Sequence, residues 1–119
     1  MELKEAAQIL AEIADKNGIQ DDYDYNVQEL TRKILSADDL SSDITEYFTG
    51  ELDGTANVVV TSESSRGAEV YRTFKIKTEQ EEVYVEFSGR YSSWDSSSYD
   101  DFYFVQLEEV MITQYTRIK

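Results

Sequence analysis

Asp22, Asp24 and Asn26 stand at alternate positions in Asp21-Asp22-Tyr23-Asp24-Tyr25-Asn26, the spacing of the first three oxygen ligands of a calcium loop. The rest of that motif fails: Val27 occupies the position where the sharp turn needs Gly, and Lys33 the position where a bidentate Glu closes the site. No metal is expected there, and the stretch reads as a solvated acidic loop leading into a helix cap. Nucleophilic catalysis lacks its parts as well. The chain has no Cys and no His, and no Ser stands one helical turn before a Lys that could serve as its base. The Glu-x-Lys triplet of metal-dependent nuclease strands occurs only as Glu2-Leu3-Lys4, at a helix start. The chain is therefore expected not to be an enzyme and to carry no cofactor.

The acids mean more together than in pairs. Twenty-five Asp and Glu oppose eleven Lys and Arg, a net charge of −14 on 119 residues. Nucleic acids and anionic membranes bind proteins through basic groups that release counterions, so direct binding to either is disfavoured. A chain of this length is about 35 Å across, a span over which duplex DNA presents roughly 20 phosphates. The acid excess has a similar density, and carboxylates at alternate strand positions, such as Glu82 and Glu86 flanking Tyr84, recur at about 6.6–6.8 Å, near two phosphate steps. Phosphate mimicry towards a protein with a basic nucleic-acid-binding surface is one reading; plain solubility is the other.

The stretch from Phe87 to Phe104 holds seven of the fifteen aromatic residues, the only Trp and six Ser. Large rigid rings supply contact area at low entropic cost, and Ser, Gly and Asp supply adaptable hydrogen bonds, a mixture typical of binding loops. Phe87, Phe102 and Phe104 are assigned to the core. Tyr91, Trp94 and Tyr99, set among Ser and Asp, are assigned to a partner, with Asp95, Asp100 and Asp101 beside them. The acidic loop at Asp21, Asp22 and Asp24, with Tyr23 and Tyr25, is the second candidate surface.

These residues need a scaffold. Leu3, Ala6, Ala7, Leu10, Ile13 and Ala14 recur at three- and four-residue steps, which predicts a first helix stopped at Asn17-Gly18. Asn26 with Glu29 resembles a capping box for a second helix bearing Val27, Leu30, Ile34 and Leu35. Ser36 with Asp39 repeats the start signal, and Leu40, Ile44, Tyr47 and Phe48 predict a third helix closed by Gly50, or the second half of one broken helix, two to three helices in all. From Thr55 onward β-branched and aromatic residues alternate with polar ones. Strands are expected at Asn57 to Ser62, Glu69 to Thr78 and around Val83 to Phe87, with turns at Glu63 to Gly67 and Glu79 to Glu81. A last strand is expected from Phe102 to Ile118, bent near Glu108-Glu109. The expectation is one α+β domain over residues 1–119, helical over 1–50 and sheet over 55–119, with about four antiparallel strands packed on the helices. The start, Met1-Glu2-Leu3-Lys4-Glu5, has neither the basic nor the apolar region of a signal peptide, and the longest apolar run is four residues, so a soluble, cytoplasmic protein is expected.

Tyr91-Ser92-Ser93-Trp94 and Tyr99-Asp100-Asp101-Phe102-Tyr103-Phe104-Val105, together with the overall charge, resemble the small acidic proteins of phages and other mobile elements, and among these the anti-CRISPR proteins. The resemblance covers about a quarter of the chain and carries no residue roles across. It implies an inhibitor, acting in a bacterial host cell, that occupies the nucleic-acid-binding surface of a CRISPR effector with carboxylates in place of phosphates. It leaves open the effector type, and inhibition by allostery or by forced dimerisation. An immunity protein that neutralises a nuclease toxin and a phage structural or assembly protein are the alternatives; gene neighbourhood separates the first and oligomeric state the second.

Overall fold

In the computed structural model, which describes residues 1–91 and 98–106, helices from the N-terminal half cover one face of a six-stranded antiparallel sheet. Helix α1 (Leu3–Lys16) buries Ala6, Ala7, Leu10, Ala11, Ile13 and Ala14, the stripe set by its three- and four-residue spacing. It ends where expected. Asn17 caps it, and Gly18 follows with φ +86°, a left-handed turn that costs glycine little. A single helical turn, α2 (Ile19–Asp22), then carries the chain into α3 (Val27–Ser36), where Asn26 accepts the Glu29 N–H at 2.8 Å and Glu29 reaches back to the Asn26 N–H.

The third helix expected over Ser36 to Gly50 is cut down to a single turn. Ala37 and Asp39 both take positive φ, which ends α3, and Leu40–Ser41 forms a two-residue strand, β1. Ser41 then caps the short α4 (Ser42–Thr45), and Gly50 begins β2 (Gly50–Leu52) rather than closing a helix. The remaining strands are β3 (Ala56–Arg66), β4 (Glu69–Thr78), β5 (Glu82–Arg90) and β6 (Ser98–Val105). The sheet order is β1-β6-β5-β4-β3-β2, six strands where about four were expected, because two short ones are recruited from the N-terminal half. Residues 63–66 belong to β3, not to the turn, which is made at Gly67 with φ +64°. β6 begins four residues earlier than expected, at Ser98. The continuation to Ile118 and the bend at Glu108-Glu109 lie outside the described residues.

β1 and β2 stand at opposite edges of the sheet, yet only eight residues separate them in the chain. Six strands laid flat span about 24 Å at the usual spacing; with four of its eight residues wound into α4, the link crosses the concave face of the curled sheet, where Phe48 is buried. Phe48 lies in the link, fully buried, with its ring 5.9 Å from Phe74 of β4 and 5.8 Å from Phe87 of β5. Arg72 of β4 ties down α4, donating to Thr45 Oγ1 at 2.6 Å and Ser42 O at 3.4 Å while pairing with Glu63 of β3. Phe87 is the hub of the core, since its ring also meets Phe74, Tyr99 and Phe102.

No helix among the described residues covers the opposite face of the sheet. There Thr73 donates to Glu86 at 2.9 Å, Tyr103 donates to the other oxygen of Glu86 at 2.7 Å, and Lys75 pairs with Glu82 at 4.0 Å. Among the described residues no helix is long and apolar enough to cross a membrane.

Candidate functional site

The aromatic stretch divides between core and surface. Phe87 and Phe102 are buried as expected, but Phe104 is 39% exposed: it lies on an edge strand that β1 covers only at Ser98 and Tyr99. Tyr99, assigned to a partner, is 3% exposed; it sits opposite Leu40 of β1 and packs on Phe87 at 5.7 Å. That assignment is corrected. The period of two in β6 slips opposite Ser88 and Gly89, and the irregularity turns Tyr99 inward while leaving Asp100 and Asp101 exposed. Gly89 permits it, because a Cβ there would lie 2.0 Å from Ser98 O. Tyr91 is 59% exposed, with its backbone N–H held by Ala68 O at 2.8 Å. Asp100 lines a small hollow of about 150 Å³ with Glu69, Tyr71, Ser88 and Arg90, so basic and acidic groups mix there. Trp94 and Asp95 lie outside the described residues.

No Lys or Arg occurs between Lys33 and Arg66, whereas Asp38, Asp39, Asp43, Glu46, Glu51, Asp53 and Glu63 do. α4, in this stretch, and α2, before it, flank a cleft of about 520 Å³ lined by Asn17, Asp22, Tyr23, Asp43, Glu46 and Tyr47. Three of the six are carboxylates and none is a cation. Asn17 fixes the floor, its amide donating to the carbonyls of Tyr47 and Thr49, each at 2.8 Å. The Tyr47 hydroxyl donates to the Asp22 carboxylate. The ring of Tyr23 stands edge-on to Tyr47 at 6.2 Å and stacks on Tyr25 at 6.3 Å, and Lys33 Nζ lies 5.8 Å from the centre of the Tyr25 ring.

The phenols report the field inside this cleft. The hydrogen bond to Asp22, then burial, pushes Tyr47 up to about 12. Burial raises Tyr23 above its ordinary value, and Asp43, Asp22 and Glu46 add to the rise. Of these causes only the coulombic contribution of Asp22, Asp43 and Glu46 also favours a positive charge; the hydrogen bond and the burial do not.

Asp22 thus belongs to the cleft, while Asp21 and Asp24 are exposed beside it on α2 and the following loop. The calcium-like spacing is spent locally: Asn26 Oδ1 caps α3 and Asp22 accepts from Tyr47. Among the described residues no group of three or more acids is placed to hold a metal ion. The sequence did not single out Asp43 or Glu46, and it counted Tyr47 among apolar helix positions. Only the tertiary approach of α2 and α4 reveals them. β1 links the two candidate surfaces, because Ser41 pairs with Ser98 at the start of β6 and α4 follows directly.

Comparison with known protein families, curated proteins and solved structures gives no match for this chain.

Proposed function

We propose that the chain is a protein-binding inhibitor that docks on a basic, nucleic-acid-binding surface. Within that class the reading is an inhibitor of the anti-CRISPR type, with carboxylates standing where a CRISPR effector holds nucleic-acid phosphates. One observation carries it: Asp22, Asp43 and Glu46 meet around Tyr23 and Tyr47 with no cation among the lining residues. Tyrosine rings beside unopposed acids suit arginine and lysine side chains, which gain both charge pairing and ring contact. The cleft, rather than the β5 row, is the place for mimicry. Glu82 is paired with Lys75, and Glu86 already accepts from Thr73 and Tyr103. Tyr91, Asp100 and Asp101 are exposed as well, but Asp101 pairs with Ser88 and Asp100 shares its hollow with Tyr71, on the face away from the helices, so they form a second surface and do not continue the cleft.

The test is capture from lysates of otherwise matched host cells with and without a CRISPR system. The wild-type chain is expected to retain an effector only from the first, and Asp22→Asn with Asp43→Asn and Glu46→Gln to lose it. Equal capture by the triple variant would contradict the role of the cleft; capture of an unrelated nuclease toxin instead would favour an immunity protein.

A further inference from the structure

We propose that two copies of this chain associate along the free edge of β3, antiparallel and related by a two-fold axis, so that their sheets join. β3 runs for eleven residues, of which β2 covers only Ala56, Asn57 and Val58. No described residue pairs with the outer edge from Val59 to Arg66, and all eight residues of that stretch are exposed. Val59 and Val60 are 41% and 40% exposed, and as neighbours in a strand they face opposite sides of the sheet. A strand laid alongside therefore shields both. Monomers usually blunt such an edge with Pro, Lys or a covering element. This chain has no Pro, and β3 has no Lys. The one irregularity is the bulge at Thr61, and Ser62 to Arg66 continue beyond it in unbroken register with β4.

Charge selects the occupant. Two molecules of net charge −14 repel over most of their surfaces. The run from Gly54 to Ser62 carries no charge, and Glu63, the one acid of β3, is neutralised within its own chain by Arg72. Arg66 adds a single positive charge. The edge is thus where a second acidic copy meets the least repulsion, and it offers little to a basic partner. A register that set Glu63 against its own copy would stack like charges; a shift of two residues keeps both copies on one face, as the two-fold axis requires, but moves them out of direct opposition. A strand pair of this length is a small interface, so association is weak and concentration-dependent. Salt screens the mutual repulsion, so the dimer strengthens as ionic strength rises. Binding of a basic partner responds in the opposite direction, which keeps the two proposals separable.

Sedimentation velocity on the purified chain, from about 20 µM to about 1 mM and at low and about 0.5 M salt, tests this. The wild type is expected to shift towards dimer with both concentration and salt. Val59→Glu, which faces Lys75 across the β3–β4 pair, and Ser64→Glu should each weaken the dimer at least about tenfold. Both positions are exposed, so circular dichroism should show unchanged folding; if one variant fails to fold, the other decides. A wild type that stays monomeric throughout, a dimer that weakens with salt, or folded variants that dimerise as well as wild type would overturn the proposal.

Discussion

The hydroxyl of Tyr47 donates to the carboxylate of Asp22, 25 residues earlier in the chain, and so joins the segment after α4 to α2 across the acidic cleft. The bond exists only while the phenol keeps its proton. Tyr47 is raised from 10 to about 12 in the folded protein. A group whose folded value exceeds its unfolded one lends stability that is complete below the unfolded value. That contribution is lost as pH rises through the folded value. The contact should therefore be intact up to about pH 10 and fade towards about pH 12. Tyr103, which burial and the Glu86 bond also raise to about 12, shares that window. Absorbance titration should show late-ionising tyrosines in the wild type, with one fewer in Tyr47→Phe. An unchanged late phase in that variant would contradict the assignment.

Tyr99 and Tyr91 separate packing from recognition. Tyr99→Ala empties a buried site beside Phe87 and should cost about 3–5 kcal/mol, in the range of large aromatic truncations. Tyr91→Ala removes an exposed ring and should change stability by no more than about 0.5 kcal/mol. Urea denaturation measures both, and equal effects would contradict the placement of the two rings.

Arg72 holds the link between β1 and β2 against the concave face. Its side chain is 16% exposed and reaches Thr45, Ser42 and Glu63. Arg72→Met keeps much of the aliphatic stem but loses these bonds, with an expected cost of about 1–3 kcal/mol. Amide exchange should quicken first at Ser42 to Thr45, since α4 has few other anchors on the sheet. Exchange quickening evenly over the whole chain would show that Arg72 does not hold α4 in particular.

Where local chemistry decided the outcome, the sequence was legible. The apolar stripe and Asn17-Gly18 gave α1, the Asn26–Glu29 box gave α3, and period-two alternation gave β4 and β5 close to their observed bounds. It failed where a distant partner overrode local preference. Leu40 has helical spacing to Ile44, yet pairing with Tyr99 draws it into a strand. Strands of two and three residues such as β1 and β2 leave too little alternation to detect. The same tertiary events formed the cleft: Asp22 was visible as part of an acidic loop, whereas Asp43 and Glu46 acquired meaning only when α4 folded against α2.

The proposed exchange of cleft carboxylates for phosphates on a basic partner is open to direct test. Its most direct measurement is target-DNA binding by guide-loaded CRISPR effectors of several types, titrated with the chain at two salt concentrations. The wild type is expected to block DNA binding by at least one effector, and less well as salt rises. Asp22→Asn with Asp43→Asn and Glu46→Gln is expected to raise the half-inhibitory concentration by at least about 30-fold, the loss that corresponds to about 2 kcal/mol of binding in all. Inhibition at full strength by the folded triple variant, or an effect of the wild type that salt leaves unchanged, would contradict it.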